Sequence, residues 1–359
     1  MIRDQAQSWA TEQAPVSAFR KVRDAGLPLR YEPATWEAMV EMGWTGILVP
    51  EEFGGSDLGY LTFGVVLEQL GRQLTASPLY ASALVGASAL LIGGNDTQKQ
   101  QYLPKIVDGS EILTLALDEG PRHAPDRIAA TAEASGGDLS INGAKTMVLE
   151  GMAATTFVVA AQGADGVGLY LVPADAAGVS RQPLSTMDSR GYANVQFENV
   201  SVGADARVGD ADALAELLDR ARAGLGAEML GTSAQAFDMT LEYLKTREQF
   251  GRVIGSFQAL GHRAADLFSQ LELTRSCVEA ALTAVDEQAA DRAELCSLSK
   301  ARSSAFLHEM SNQLIQIHGG IGMTDEFDAG LYLKRARPLE QQWGNAAFHR
   351  DRYATLLGF

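Results

Sequence analysis

Two stretches decide how this chain is read: Thr246-Arg247-Glu248-Gln249-Phe250-Gly251, followed by Gln258, and Gln316-Ile317-His318-Gly319-Gly320-Ile321-Gly322. The first offers a cation and an aromatic ring near the end of a helical pattern, with an amide in the next segment. The second lets main chain approach a ligand closely through paired glycines. Arginine can fork two hydrogen bonds to a phosphate, and glycine leaves its N–H uncovered. Together they suit the pyrophosphate and adenosine of a dinucleotide.

Around both stretches the spacing is helical. Leu230, Ala234, Phe237, Leu241 and Leu244 fall at offsets 0, 4, 7, 11 and 14, one stripe of a long helix. Leu260, Ala264, Leu267 and Leu271 repeat it, as do Leu307, Met310, Leu314 and Ile317. Long antiparallel helices with short connections predict a bundle. Between Ile112 and about Asp210 the texture changes to short β-rich runs at 113–117, 157–161, 167–172 and 195–197. Turn signals separate them at Ser135-Gly136-Gly137-Asp138, Ile141-Asn142-Gly143 and Gly163-Ala164-Asp165-Gly166. Trp36 to Gly109 reads as helical, broken at 50–55, at Ser77-Pro78 and at Gly93-Gly94, with Asn95 or Asp96 as a helix cap. The expected fold is α+β in three parts: an N-terminal helical domain over 1–111, a β-sandwich or barrel over 112–210, and a four-helix-bundle-like domain over 211–359.

Composition excludes some functions. A chain of 359 residues that is 46% hydrophobic can bury a full core, and a formal charge of −16 argues against nucleic-acid binding. An anionic ligand must then be met by local cations. The two cysteines, Cys277 and Cys296, sit in apolar helical patterns and read as reduced thiols. No run of about eighteen apolar residues is present to span a bilayer, and residues 1–30 show no signal-peptide pattern. A cytoplasmic location, without membrane association, is the default expectation.

The order helical, β, helical bundle, with both motifs in place, resembles the acyl-CoA dehydrogenase family of flavoproteins. The likeness also runs through Trp44–Gly55 (WTGILVPEEFGG), Leu67–Arg72 (LEQLGR), Tyr102–Gly109 (YLPKIVDG) and Ile141–Lys145 (INGAK). The resemblance implies FAD as cofactor, an acyl-CoA as substrate and no metal. It also implies α,β-dehydrogenation: a carboxylate removes the α proton of the thioester while the β hydride passes to the flavin. In the family the adenosine half of FAD is held by a neighbouring subunit. Carried over, that work falls to Arg247, Phe250, Gln258, Gln316, Gly319 and Gly320.

The sequence departs from the family at the base. The catalytic Glu of the family's Glu-Gly-Thr triplet is replaced by Trp343, in Trp343-Gly344-Asn345. An indole only donates and cannot accept a proton. The alternative position, before the Arg that corresponds to Arg222, is Ala221. Arg222 itself is carried over as a substrate-binding residue. Asp219 lies near but is turned about 200° away along a helix. Glu340, Glu150 and Glu119 remain as candidate bases. Around Asp118-Glu119-Gly120-Pro121 the family's Gly-Ser-Asp is missing, and Thr146–Gly151 lacks its flavin-side Trp. What is kept grips a neighbour's FAD, whereas the base and part of the chain's own flavin pocket are gone. That pattern is expected of one chain of a paired hetero-oligomer, a heterotetramer with a related base-bearing subunit, in lipid or steroid catabolism. A homo-oligomeric flavoenzyme with a non-standard base and a non-catalytic scaffold subunit are the alternatives. The family further implies an electron-transferring flavoprotein as electron acceptor.

Overall fold

The computed structural model describes residues 1–359. Helices α1 (Ile2–Gln13), α2 (Val16–Ala25), α3 (Pro33–Glu41), α4 (Gly59–Arg72), α5 (Ala87–Gly93) and α6 (Asp96–Val107) precede eight strands. These are β1 (Leu113–Ala116), β2 (Thr131–Ser135), β3 (Asp138–Leu149), β4 (Thr156–Gly163), β5 (Gly166–Pro173), β6 (Val179–Pro183), β7 (Tyr192–Val202) and β8 (Arg207–Asp210). Helix α7 (Ala211–Thr246), the small hairpin β9 (Glu248–Gln249) and β10 (Arg252–Val253), and helices α8 (Gln258–Asp286), α9 (Arg292–His318), α10 (Ala329–Gln341) and α11 (Ala346–Leu356) follow. The helical, β, helical order is the one expected. No helix is long and apolar enough to cross a membrane.

These elements gather into two compact units, one of Met1–Ala18, Gly64–Thr75 and Arg222–Phe359, the other of Phe19–Phe63 and Ala76–Ala221. In the second unit the strands join in the order β6-β7-β3-β2-β4-β5-β8, with β1 pairing parallel to β4. Phe157 on β4 and Phe197 on β7 meet edge to face at 5.9 Å. Three strand spacings span about 14 Å in a flat sheet, so the sheet curls over itself and closes its apolar core around these rings. Asn95 caps α6 in a reciprocal box with Gln98, and the Gln98 amide goes on to the carbonyls of Asp205 and Arg207 at 2.8 and 3.1 Å.

One turn expectation fails. Ile141-Asn142-Gly143 lies inside β3, which runs on through it. A bulge between Ile141 and Gly143 opposite β7 absorbs the irregularity, and the Asn142 side chain accepts the Asn199 N–H at 2.7 Å. The partner strand thus takes the polar side chain that would otherwise stabilise a turn. Strands β2, β6 and β8 carry no apolar run that marks them in the sequence; β6 ends the sheet and tolerates Pro183 there.

In the first unit the three stripes are buried. Leu230, Phe237 and Leu244 of α7, Leu267 and Leu271 of α8, and Leu307, Met310 and Leu314 of α9 all lie in the core. Ion pairs brace it. Glu68 receives Arg3 and Arg275 at 2.7 Å each, and Glu228 receives Arg335 at 2.6 Å. Cys296 is buried, Cys277 is half-buried, and no disulfide joins them.

Candidate functional site

The two opening motifs share one small core. Leu244, Ile254, Ala264 and Ile317 are buried together, with Tyr243, Phe257 and Leu260 packed against them. This fastens the end of α7, the β9–β10 hairpin, the start of α8 and the end of α9. Arg247 leaves α7 with its N–H on the Tyr243 carbonyl at 2.9 Å, and its own carbonyl accepts the Ile254 N–H at 2.8 Å. Phe250 and Gly251 both have positive φ, 55° and 77°, which makes a two-residue hairpin turn of the primed type. A bulky residue in that region is strained, yet the Phe250 ring is 90% exposed. Such a conformation persists only where the surrounding structure holds it, here a two-residue hairpin turn. Arg252 stacks over the Phe257 ring at 4.0 Å, beside it.

Gly319 ends α9 with φ 62° and ψ −135°, a conformation that side chains avoid. Gly320 differs: neither a positive φ nor any atom within 4 Å of an added Cβ requires a glycine there. Arg247, Phe250, Gln258, Gln316, Gly319 and Gly320 are all exposed. Behind them His318 stacks on Tyr243 at 4.2 Å and donates from Nδ1 to the Leu314 carbonyl at 2.7 Å.

The second feature is the turn between α10 and α11. Trp343 is buried at φ 57°, and Gly344 follows at φ 101°. A Cβ on Gly344 would stand 2.5 Å from the Phe348 ring and 2.8 Å from His349 Nε2, so both φ and space demand glycine. The Trp343 carbonyl accepts from Arg222 Nε at 3.2 Å and His349 Nε2 at 2.9 Å. Arg222 also lies over the Phe348 ring at 5.6 Å. The carbonyl of Gly344 accepts from Lys300 Nζ at 2.9 Å. Burial, then the Arg222 charge, pushes Lys300 down to about 7, against the pull of Glu340. Burial, then the charges of Arg222 and Lys300, pushes His349 down to about 2, so its imidazole is neutral with the proton on Nε2. Arg222, carried over as a substrate contact, is buried and donates to this turn.

Ala221, the other base position, is fully buried, and its carbonyl accepts the Tyr80 hydroxyl at 2.8 Å. Tyr80 opens a π-helical segment through Gly86, which the sequence does not reveal. Two of the remaining candidate carboxylates, Glu340 and Glu119, are engaged. Glu340 meets Arg337 at 2.6 Å and His308 at 3.0 Å. Glu119 takes Lys145 at 2.6 Å and the N–H groups of Ala129 and Ala130 at 2.7 and 2.9 Å. Burial works to raise the Glu119 carboxyl, but Lys145 and these N–H groups hold it below its ordinary value, the wrong direction for a base. Glu150 is buried beside Gly191, and its charge adds to the burial that pushes Tyr31 up to about 12.

Comparison with known proteins matches all three parts. Family models described as acyl-CoA dehydrogenase N-terminal, middle and C-terminal domains match residues 1–110, 123–200 and 211–357. The acyl-CoA dehydrogenase FadE27 of Mycobacterium tuberculosis is 30% identical over 89% of this chain and 87% of its own. The chain belongs to the acyl-CoA dehydrogenase family. Family members are flavoprotein oxidoreductases that act on CH–CH bonds with FAD. Among solved structures, the Tcur3481-Tcur3483 steroid ACAD superposes at TM-score 0.92 with 31% identity, over 99% of this chain and 96% of the other. The ChsE4-ChsE5 complex of Mycobacterium tuberculosis does so at 0.92 with 28% identity, over 99% and 96%.

Within this acyl-CoA dehydrogenase chain the loop after β1 is tied to β3. Lys145 Nζ donates to the Leu117 carbonyl at 3.1 Å, and the Thr146 N–H donates to the Asp118 carbonyl at 2.7 Å. Thr146 Oγ1 lies 3.3 Å from the carbonyls of Asp118 and Gly120, and His123 Nδ1 meets the Asp118 carboxylate at 2.9 Å. The polar groups of this loop named here are satisfied by the chain.

Proposed function

We propose that this chain is the base-lacking subunit of a hetero-oligomeric, FAD-dependent acyl-CoA dehydrogenase. A related, base-bearing chain supplies the reacting centre, and this chain completes its FAD site from outside. The reading is carried by Trp343: a buried indole stands where the family's carboxylate belongs, on a turn held by three side chains. It is supported by the engagement of Glu119 and Glu340 in ion pairs and by Ala221 at the second position.

The residues at the exposed end fit the adenosine half of FAD. Arg247 supplies a fork for phosphate, Gly319 and Gly320 an uncovered main chain, Gln258 and Gln316 amides, and Phe250 a ring face. Bound FAD supplies the acceptor for a hydride from the acyl Cβ. This chain's share is to hold the partner's cofactor at its phosphates, while Trp343 fills the space that an acyl chain and a base would need. Arg222 holds the turn and contacts no substrate. The relatives titled as a steroid ACAD and as a two-chain complex support a CoA ester of a steroid or another bulky acyl group as the substrate of the assembly. Electron transfer from that assembly to an electron-transferring flavoprotein belongs to the same proposal.

The test is FAD stoichiometry and acyl-CoA turnover for the chain alone and coexpressed with a related subunit. Alone it should retain little flavin and turn over nothing; in the pair there should be fewer flavins than chains. Turnover by the homogeneous, flavin-bearing homo-oligomer would overturn the reading. A pair without flavin would leave a scaffold.

A further inference from the structure

Three helices each send one side chain to the α10–α11 turn, and all three grip main chain. Arg222 of α7 and His349 of α11 donate to the Trp343 carbonyl. Lys300 of α9 donates to the carbonyl of Gly344 at 2.9 Å, with those of Leu339 and Glu340 at 3.1 and 3.2 Å and Ser304 Oγ at 2.9 Å. An ammonium has three protons, so these acceptors saturate it. Leu339 and Glu340 are among the last four residues of α10, whose carbonyls a helix leaves unpaired. A cation there also meets the negative end of the helix dipole.

The location is an expensive one for a cation. Lys300 is fully buried, and burying an ammonium without a carboxylate costs several kcal/mol. Glu340 is the neighbouring acid, but its carboxylate is directed to Arg337 and His308. An apolar side chain would fill the same volume without that cost. What it could not do is bridge the end of α10 to Gly344, across the residue at 343.

We infer that Arg222, Lys300 and His349 form a main-chain clamp that fixes position 343 whatever side chain stands there, with Lys300 as its central positioning residue. None of the bonds involves the indole, so the clamp presents residue 343 as a socket presents its insert. Its functional meaning rests on the proposal that 343 is the vacated base position. The geometry does not, and neither does the test.

The experiment uses the full chain labelled with 5-fluorotryptophan. Its four tryptophans, Trp9, Trp36, Trp44 and Trp343, give four fluorine resonances, and Trp343→Phe assigns the last. Lys300→Met should broaden or split the Trp343 resonance and leave the other three in place. Where that variant does not fold, His349→Phe, which keeps a ring and loses the donor, should give the same selective change. Hydrogen exchange over residues 342–349 tests independence from the side chain: Trp343→Phe should keep wild-type protection, and the clamp variant should lose about tenfold, roughly 1.4 kcal/mol. A folded clamp variant with an unmoved Trp343 resonance overturns the inference. So does a Trp343→Phe chain that loses as much protection as the clamp variant. Neither readout involves flavin or turnover, so the proposed function can fail while the clamp stands, and the reverse.

Discussion

Arg222 Nε donates to the carbonyl of Trp343 at 3.2 Å, so the residue next to Ala221 holds the main chain at 343. On the proposed reading, Ala221 and Trp343 stand at the two positions where the family carries its base. Trp343→Glu therefore places a carboxylate on a prepared turn. It should still not create a competent enzyme by itself, because the loop from Leu117 to His123 is bonded to β3 and within itself, and the groups of an active site act as a unit. Single-turnover reduction of added FAD by acyl-CoA is the measurement. A rate like that of ordinary family members would show the loop able to receive a flavin.

Arg247→Ala should weaken FAD retention by the assembled complex. Losing one charge-assisted contact to phosphate removes about 1.5–3 kcal/mol, or roughly ten- to a hundredfold in affinity. Trp343→Phe keeps an aromatic filler and should leave both flavin content and turnover nearly unchanged. Equal, undiminished FAD in both variants would take Arg247 out of the cofactor site, and loss of turnover in Trp343→Phe alone would place the working site in this chain.

Glu119→Gln separates a structural carboxylate from a base. It keeps the shape but leaves Lys145, fully buried, without its anion. Breaking such a pair costs on the order of 3 kcal/mol, so the melting temperature should fall. An unchanged melting temperature together with lost turnover in the assembly would make Glu119 the base after all.

His349 gives a pH signature. Its folded pKa of about 2 lies below the ordinary 6.5, so between those values the unfolded chain binds the extra proton. Stability from this group is complete above pH 6.5 and is lost as pH falls toward 2, with a slope of up to about 1.4 kcal/mol per pH unit. Denaturant titrations at pH 6.5 and pH 5 should show that slope reduced by this amount in His349→Phe. Parallel pH profiles for the two proteins would mean that His349 is protonated in the fold.

Much of the fold was legible because the long helices repeat their apolar stripe over many turns, as Leu230 to Leu244 and Leu307 to Ile317 do. The hairpin turns at 135–138 and 163–166 were legible for the same local reason. Asn142-Gly143 was misread because an Asn-Gly pair looks the same in a turn and in a bulge; only the Asn199 N–H, 57 residues on in sequence, decides between them. Of the proposed site, the six residues of the exposed end are named by carrying the family resemblance over to this sequence, which their chemistry suits. The clamp cannot be found that way. Lys300 sits among serines, of which Ser304 takes one bond, and what else it holds, the carbonyls of Leu339, Glu340 and Gly344, is main chain that no sequence pattern marks. Tyr80 on Ala221 is hidden likewise, since a π-helical register depends on packing.

The hairpin tip has a kinetic consequence. Phe250 holds its left-handed backbone in the free chain, so the strain of that conformation is settled during folding, before any encounter. If FAD and a partner dock here as proposed, a backbone already fixed at Phe250 loses little freedom on docking. The association rate at this end should therefore be set by diffusion and orientation, and the lifetime of the assembly by how tightly the partner closes over the Phe250 ring.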